Sequence, residues 1–465
     1  MTTALSPPPT LRKGALVALG TLTLATGALE SVVTPTLPLL QRELGMTRSE
    51  GALLSIVLLI TGALVTPVAG KLGDRYGGKP VLVRLMWVVC LGGLVSAAAP
   101  STPVLLAGQV LQGAMVGAVP LSFIVVRKHL PTGSSKVAIG VISGLFIAGG
   151  MVGTLTAGPV AEQLSRHWMF ALPTFALVAA TTATHLLLPQ DPPGREDGGR
   201  IDWPGFALLS GSLVTLLLVL ALAADIASAP LVLAGLVVLL AVLVTAWVAV
   251  ERRAAAPMVD LRMLALPTVW KSCLLTFVLC IGTSSAIYLV PQLFELSGDG
   301  YGFGANATLI GLYLIPGAIA AVVAGPLGGF SARRFGTRGV ISAATVVMAA
   351  SLVLVAVVHS EVWHLVVAKM LIALASGVAV TALLANTATS VDEGDTGIAT
   401  GLVLVTRVLG FAVGVQAGGA LLTAATPAGS DVPAESAFVI GFAVAGAITA
   451  LGLLITRTMS KGVTR

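Results

Sequence analysis

The stretch "TPVAGKLGDRYGGK", residues 66–79, recurs in altered form 259 positions later as "GPLGGFSARRFGTR", residues 325–338. Each copy follows an apolar run and combines glycines with basic side chains, a pattern that suits a tight connection at a membrane surface. Asp74 departs from the match, since Arg333 stands in its place. The matched pairs are Pro67 and Pro326, Gly70 and Gly329, Arg75 and Arg334, Gly77 and Gly336, and Lys79 and Arg338.

A second match supports an internal repeat. "SGLFIAGGMVGTLTAGPVA", residues 143–161, aligns with "TGLVLVTRVLGFAVGVQAG", residues 400–418, at an offset of 257. Small residues four apart line one helix face and let two helix backbones approach closely in a membrane. The repeat therefore predicts two homologous halves that pack in the same way. The small residues that coincide are Gly153 with Gly410, Ala157 with Gly414, and Ala161 with Gly418.

Composition sets the fold class. The chain of 465 residues is 56% hydrophobic and 10% charged, with a mean hydropathy of +0.99, whereas soluble domains carry about 25% charged residues. Its apolar runs have the length of about 20 residues that a membrane-crossing helix needs. We predict an all-α integral membrane protein with fourteen transmembrane helices, arranged as two pseudo-symmetric six-helix bundles (6+2+6) around a central cavity. The predicted spans begin near Gly14, Gly51, Val81, Pro103, Val137, Trp168, Gly205, Ala229, Thr268, Thr308, Gly339, Val362, Thr396 and Ser436.

Polar segments divide the chain into three parts. Residues 1–188 are predicted to form the N-terminal six-helix bundle, 189–266 the cytoplasmic linkers with a two-helix insertion hairpin, and 267–465 the C-terminal six-helix bundle. With a cytoplasmic N-terminus, 21 of the 26 Lys and Arg fall at cytoplasmic positions, as the positive-inside rule requires. We therefore expect a multi-pass protein of a bacterial plasma (inner) membrane, with both termini cytoplasmic and a net charge that sets orientation rather than binding nucleic acid.

Several kinds of chemistry have no sequence signature here. The three cysteines lie inside predicted spans and the histidines are scattered, so neither a disulfide nor a metal site is expected. No Walker-type "GxxxxGK[ST]" loop and no nucleophile elbow occur. We expect no cofactor and no enzymatic activity. The expected partners are a small-molecule substrate, protons and the lipid bilayer, and the protein is expected to be a monomer.

The quoted motifs resemble those of the major facilitator superfamily and, more narrowly, of its fourteen-span drug:proton antiporters. "GKLGDRYGGK", residues 70–79, is similar to the superfamily's loop motif between helices 2 and 3. "GTLTAGP", with Gly153, Gly158 and Pro159, looks like the antiporter motif of helix 5, and "LESVVTPTLPLLQREL", residues 29–44, is similar to the helix 1 signature. Helix 4 departs from the pattern, because Gln109 stands where these antiporters usually carry an Arg ahead of a Gln-Gly pair, here Gln112 and Gly113.

Glu30 is the candidate proton-coupling residue. No other acid lies deep in a predicted span, and intramembrane acids usually face a cavity and mark a pathway. A carboxyl in apolar surroundings can cycle between its protonated and charged forms near neutral pH, as proton coupling requires. It also occupies the acid position of the helix 1 signature. The alternative is a structural acid hydrogen-bonded to Ser31 or Thr34.

Six further residues are candidates for the substrate cavity or for a counter-ion. Arg407 could replace the missing helix 4 cation or bind an anionic group, but it could equally bind carbonyls of its own helix or extend to the interface. Lys369 lies near the outer end of its span, where extension to the interface is easy. Two pairs share a helix face and suit either a cavity wall or helix packing: Gln109 with Gln112, and Ser284 with Tyr288.

The loop motif has a mechanical interpretation. Its glycines permit a tight turn, and Asp74 can accept hydrogen bonds and cap the N-terminus of a neighbouring helix. The family resemblance implies that this cluster locks the two halves together while the cavity opens outwards. Arg127, at the inner end of the fourth predicted span, is a candidate partner. The alternative is a plain surface turn that keeps positive charge inside. The predicted lock consists of Gly70, Asp74, Arg75, Gly77, Lys79 and Arg127.

These features together predict proton-coupled efflux of hydrophobic or amphipathic small molecules by alternating access, the activity of multidrug and antibiotic-resistance exporters. A proton-coupled symporter or a facilitator of a nutrient or metabolite, on the same fold, is the first alternative. A transporter-like membrane sensor or scaffold is the second. The direction of proton movement that accompanies substrate movement separates the three.

Overall fold

The computed structural model describes residues 13–46, 48–190, 202–223, 230–254, 261–296, 301–305, 307–426 and 432–459. This part of the chain is helical, without strands. Its helices are α1 Lys13–Glu30, α2 Val33–Leu44, α3 Arg48–Tyr76, α4 Gly78–Ala97, α5 Thr102–Gly113, α6 Ala118–His129, α7 Thr132–Gln163, α8 Arg166–Leu187, α9 Trp203–Ala223, α10 Pro230–Glu251, α11 Leu261–Leu264, α12 Pro267–Glu295, α13 Ala307–Phe335, α14 Thr337–Val357, α15 Val362–Ser390, α16 Thr396–Ala424 and α17 Glu435–Arg457.

Eleven helical segments among the described residues are long and apolar enough to cross a membrane. One of them joins α5 and α6 through a short 3-10 turn at Ala114–Gly117 into a single span, Thr102–His129. The first predicted span is divided at Ser31 and Val32 into α1 and α2. Pro35 is a local cause of this division, because it has no backbone N–H to donate to the carbonyl of residue 31. The protein is thus an all-helical, multi-pass membrane protein.

The described chain divides into two compact units. The first consists of Met1–Gly198 together with Thr387–Gly401, and the second consists of Gly199–Asn386 and Leu402–Arg465. The first unit therefore takes the end of α15 and the start of α16 from the second sequence repeat. The insertion hairpin, α9 and α10, belongs to the second unit. Its two helices pack against each other, and the apolar side chains of α10 remain largely exposed, Leu231 by 87%.

The repeat recurs as matched backbone geometry. Gly77 and Gly336, which align at the offset of 259, both have a positive φ, 95° and 79°, and both immediately precede a helix, α4 and α14. Few residues other than glycine adopt this conformation readily, so the turn itself demands glycine at both positions. The helices α4 and α14, which form the third predicted span of each half, therefore begin after the same type of turn.

Basic side chains near these turns form matched contacts. Lys79 Nζ donates to the carbonyl of Leu188, at the end of α8, and Arg338 Nη1 donates to the carbonyl of Met459, just after α17. In each case a cation from the start of the third helix of its half reaches the carboxyl end of the last helix, where free carbonyls and the helix dipole favour positive charge. Arg75 and Arg334 lie over the rings of the next residues, at 5.2 and 5.7 Å from the ring centroids.

Most of the loop motif is helical. The three glycines were expected to form a turn, but α3 continues through Gly70, Gly73 and Asp74 to Tyr76, and the turn is confined to Gly77. Gly70 and Gly73 are needed for a different reason. A Cβ at Gly73 would lie 2.3 Å from Leu121 Cδ2, so this glycine lets α3 and α6 pack closely. The expectation of a turn spanning all three glycines was wrong because close helix packing also selects glycine.

Candidate transport site

Glu30 is the last residue of α1, at the point where the first span is interrupted. The residue is half-buried, and it has an interaction partner within the protein. Residues 13–44 of the interrupted span would extend about 48 Å at 1.5 Å per residue, and Glu30 lies slightly past the midpoint. Discontinuous membrane helices of transporters place their half-helix ends near the midplane, where substrates and coupling ions bind.

Helix α1, which ends at Glu30, is in direct backbone contact with α7. A Cβ at Gly27 would lie 2.0 Å from the carbonyl oxygen of Phe146, and one at Gly153 would lie 2.1 Å from that of Ala28. At Gly150 a Cβ would meet Ser31 Oγ at 3.0 Å. The helix 5 motif residue Gly153 and the neighbours of Glu30 are therefore parts of one seam, in which no side chain separates the two backbones.

The same seam recurs in the second unit between α12 and α16. A Cβ at Gly410 would lie 2.6 Å from the carbonyl oxygen of Phe277, and one at Gly414 would lie 2.1 Å from Ser284 Oγ. Ser284 is fully buried and its hydroxyl contacts the carbonyls of Ile281 at 3.1 Å and Gly410 at 3.5 Å. Tyr288, one turn further on, lies against Gly418, where a Cβ would be 3.1 Å from Tyr288 Cδ1. Both candidates thus line the seam between α12 and α16.

Gln109 and Gln112 meet at one serine of the third predicted span. Both are fully buried. Nε2 of Gln109 lies 3.3 Å from Ser96 Oγ, and Nε2 of Gln112 lies 2.6 Å from the same oxygen and 3.3 Å from the carbonyl of Gly92. The side-chain oxygens of both glutamines have no hydrogen-bond partner among the described residues. The pair forms a polar contact between α5 and α4.

The two intramembrane cations differ in their surroundings. The guanidinium carbon of Arg407 lies 5.7 Å from the ring centroid of Phe411, one turn along α16. Lys369 Nζ is buried without a hydrogen-bond partner in the described part of the chain, and its stem packs against Gly317 of α13. Arg407 and Lys369 both belong to the second unit.

Asp74 caps the N-terminus of α16. Its carboxylate accepts the backbone N–H of Gly397 at 3.0 and 2.9 Å and that of Ile398 at 3.0 Å, and only 4% of the residue is exposed. The first N–H groups of a helix have no partner within the helix and carry partial positive charge. A carboxyl group at this end therefore accepts their hydrogen bonds and also interacts favourably with the helix dipole. The predicted capping role of Asp74 corresponds to this contact, which joins helices from the two sequence repeats.

Close packing and a second hydrogen bond surround the cap. Gly70 and Gly397 face each other so closely that a Cβ on Gly70 would lie 2.5 Å from the carbonyl carbon of Gly397. Arg127, at the end of α6, donates from Nη2 to the carbonyl of Val391 at 2.7 Å, in the turn that leads into α16. Asp74 and Arg127 therefore hold the same short connection between α15 and α16.

The remaining motif residues of helix 5 are placed differently from Gly153. Pro159 is exposed, and a Cβ at Gly158 would have no neighbour within 4 Å. Pro159 lies inside α7 and leaves the carbonyl of residue 155 without its helical donor. Packing thus explains the first glycine of "GTLTAGP" and does not explain the second.

An apolar cavity of about 680 Å³ lies among α1, α7 and α8. Its volume falls within the range of about 300–1,000 Å³ that is typical of small-molecule sites. Small side chains such as Ala25, Ala28 and Ala180 form its wall, with Trp168 among the larger ones. Among the described residues, no group of three or more His, Cys, Asp or Glu could hold a metal ion.

Sequence reasoning did not find the partners of the lock. Gly397, Ile398 and Val391 lie more than 260 positions from Asp74 and Arg127, and no pattern in the chain connects them. The one available signal was the acidic turn "VDEGDTG", residues 391–397, directly before an apolar run, which is typical of a helix start.

Comparison with known proteins gives the family. The family model described as Major Facilitator Superfamily matches residues 19–272 and 272–463. An uncharacterized MFS-type transporter of Mycobacterium tuberculosis is 28% identical over 411 residues, which cover 86% of this chain and 58% of that protein. The chain therefore spans less than two thirds of the length of this relative.

Two further relatives have names that state a substrate or a role. The uridine/deoxyuridine transporter of Lactococcus lactis is 27% identical over 359 residues, 74% of this chain and 72% of that protein. The putative multidrug resistance protein MdtD of Salmonella paratyphi A is 25% identical over 399 residues, 84% of this chain and 82% of that protein. Among solved structures, the human organic anion transporter MFSD10 has a TM-score of 0.72 at 14% identity, with 96% of this chain and 99% of that chain covered. This last likeness concerns the fold alone.

Proposed function

The chain belongs to the major facilitator superfamily, and on that basis we propose that it exports hydrophobic or amphipathic small molecules in exchange for protons. The superfamily makes it a transporter rather than an enzyme, and such transporters bind small molecules within the membrane, often with protons. The observation that carries the proposal is Glu30, a half-buried acid at the break between α1 and α2, beside the seam formed by the helix 5 motif.

Three features support export over other transport modes. The helix 5 motif resembles that of the antiporters, and the relative MdtD is named as a putative multidrug resistance protein. The cavity beside α1 is lined mainly by apolar side chains and so suits the apolar body of a substrate. In the proposed cycle, Glu30 releases its proton when substrate binds and takes up a new one after substrate leaves.

The proposal includes an architecture and a lock. We propose fourteen spans in a 6+2+6 order in the inner membrane of a bacterium, with both termini cytoplasmic and the protein active as a monomer. In the outward-open state, the contact of Asp74 with α16 and that of Arg127 with Val391 hold the cytoplasmic ends of the two repeats together. Opening to the cytoplasm requires both contacts to break.

A symporter or facilitator for a polar metabolite is the second candidate function. It is favoured by the uridine/deoxyuridine transporter, which is slightly more similar in sequence than MdtD. Proton movement separates the two functions, because an exporter exchanges the substrate for protons and a symporter carries both in the same direction.

The test uses purified protein in proteoliposomes that contain a pH-sensitive dye. Protein and empty liposomes are compared over a panel of lipophilic cations, neutral aromatic compounds and nucleosides added from outside. Antiport predicts that a lipophilic compound entering the vesicles causes protons to leave. Co-entry of protons with a nucleoside, or entry of a nucleoside without protons, would establish the second candidate instead. The absence of both proton movement and compound uptake would indicate a sensor or scaffold.

A further inference from the structure

Lys369 has a buried side-chain nitrogen that no group in the described part of the chain compensates. It lies in the first third of α15, inside the second unit, and its Nζ is buried with no hydrogen-bond partner in the described part of the chain. A lysine that merely extended to the interface would have an exposed ammonium. An ammonium taken out of water without a partner costs several kcal/mol, so the charged form of Lys369 is favoured only when an anion accompanies it.

The packing around the lysine keeps room for its stem. A Cβ at Gly317 of α13 would lie 3.3 Å from Lys369 Cγ, closer than almost all normal contacts of this kind. The offset of 259 aligns Gly317 with Leu58, so a large residue in the first repeat is replaced by glycine where the second repeat has the lysine. Glycine at 317 and lysine at 369 thus form a complementary pair.

The two repeats differ in the residue that faces this position. At an offset of 260, Lys369 aligns with Gln109 and Gly377 with Gly117. Gln109 donates to Ser96, but positions 355 and 356, which align with Ser96, hold Val355 and Ala356. The first unit therefore has a neutral amide with a hydroxyl partner. The second unit has a cation, and the corresponding positions are apolar.

Aromatic rings lie on the side towards which the lysine extends. Helical side chains lean towards the N-terminus of their helix. Tyr313, one turn before Gly317 on α13, lies towards that end. Its ring centroid is 5.2 Å from that of Phe294, which in turn is 5.8 Å from that of Phe303. An aromatic cluster therefore lies one turn from the glycine against which the stem of Lys369 packs.

We propose that Lys369 binds the carboxylate of an amphipathic organic anion. This inference rests on the proposed function and specifies a substrate class for it. It also assigns to the second repeat the cation that helix 4 lacks at Gln109. A free halide ion has the same charge, and the experiment separates the two sources.

The experiment measures binding to the purified protein in nanodiscs with a matched pair of probes, 4-hexylbenzoate and 4-hexylbenzamide, which differ in charge and little in shape. We expect the wild type to bind the benzoate at least about tenfold more tightly than the benzamide, a difference of about 1.4 kcal/mol. Lys369→Met should remove this preference while leaving benzamide affinity unchanged, and Lys369→Arg should keep most of it. Gly317→Val, which fills the space of the stem, should also weaken the preference.

Lys271→Met is the matched control. Lys271 donates to the carbonyl of Thr458 from an exposed position, so the same change should leave the benzoate preference intact. Equal binding of both probes by the wild type, or a preference that survives Lys369→Met, would overturn the proposal. So would displacement of benzoate by millimolar NaCl but not by Na2SO4 of equal ionic strength, which would assign the site to a halide. Proton movement during uptake of 4-hexylbenzoate by proteoliposomes containing the same purified protein tests the proposed function separately.

Discussion

The two carboxylate oxygens of Asp74 lie 3.0 and 2.9 Å from the backbone nitrogen of Gly397, the second residue of α16. Because Asp74 comes from the first sequence repeat and Gly397 from the second, the contact constrains any motion that separates these ends. A typical intramolecular hydrogen bond contributes about 0.5–1.5 kcal/mol, and the carboxyl group of Asp74 makes three such contacts with α16. The contact is therefore strong enough to influence a conformational equilibrium.

Asp74→Asn should slow transport without abolishing binding. Asparagine retains one acceptor oxygen but loses the charge and turns an amide group towards the N–H donors of α16. We expect the maximal transport rate in proteoliposomes to fall roughly five- to tenfold, consistent with the loss of one buried hydrogen bond of about 1 kcal/mol, while the substrate Kd changes by less than about threefold.

The control for this variant is Arg333→Gln, at the position that matches Asp74 in the second repeat. Arg333 is exposed, so its loss should leave the maximal rate close to that of the wild type. A collapse of binding in Asp74→Asn with an unchanged rate would show that Asp74 acts at the substrate site and not as a lock.

Gly153→Ala should destabilise the protein, whereas Gly158→Ala in the same motif should not. The new methyl group at position 153 would lie 2.1 Å from the carbonyl oxygen of Ala28 and must push α1 from α7. Overpacking of this kind costs about 1–3 kcal/mol. At position 158 a Cβ has no neighbour within 4 Å, and alanine is the better helix former. Thermal unfolding in detergent measures both, and an equal loss in both variants would mean that close packing is not what the motif provides.

Gln112→Leu should lower stability and leave substrate affinity unchanged. The substitution removes the bond of 2.6 Å to Ser96, and a buried hydrogen bond contributes about 1 kcal/mol. Ser96→Ala should have a similar effect, and the double variant should cost less than the sum of both, because one interaction is removed twice. A large loss of substrate affinity at unchanged stability would instead assign Gln112 to the cavity wall.

The proposed orientation predicts which surface positions react with a membrane-impermeant maleimide in intact cells. Cysteine at residue 361, introduced as Glu361→Cys at an exposed position before α15, should be labelled from outside. Cysteine at residue 195, introduced as Arg195→Cys, should react only after the cells are permeabilised. Buried Cys90 and Cys280 are not expected to contribute to the signal. Labelling of residue 195 in intact cells would show that the orientation is the reverse of the proposed one.

The repeat was predictable because its turns require particular residue types at matching positions of the two halves. Glycine with positive φ at 77 and 336, and cations at 79 and 338 that reach the ends of α8 and α17, appear in the sequence as an alignment. Glycine and basic residues at a membrane surface have few substitutes. The helical class followed equally directly from the apolar composition.

Other features had no local signature. The bond between Asp74 and Gly397 joins positions 323 residues apart, and only packing of whole helices brings them together. The stem of the buried Lys369 packs against Gly317 of another helix. The extent of α3 was misjudged for a related reason, since glycines that allow close packing look like glycines that form a turn.

Glu30→Gln shows whether Glu30 couples proton movement to transport. Glutamine keeps the size of the side chain and most of its hydrogen-bonding capacity but fixes the site in a neutral form. Glu43→Gln serves as the control, because Glu43 is 40% exposed and paired with Arg166 at 3.0 Å, away from the break in the first span. Both variants should insert and fold as the wild type does.

The measurement is substrate accumulation against its gradient in proteoliposomes, driven by an imposed pH difference and repeated over a pH series. We predict that the wild type and Glu43→Gln accumulate substrate and show an affinity that varies with pH. Glu30→Gln should show neither accumulation nor pH-dependent affinity, while downhill exchange of substrate continues. Accumulation at the wild-type level in Glu30→Gln would contradict the account and leave Glu30 a structural acid of helix α1.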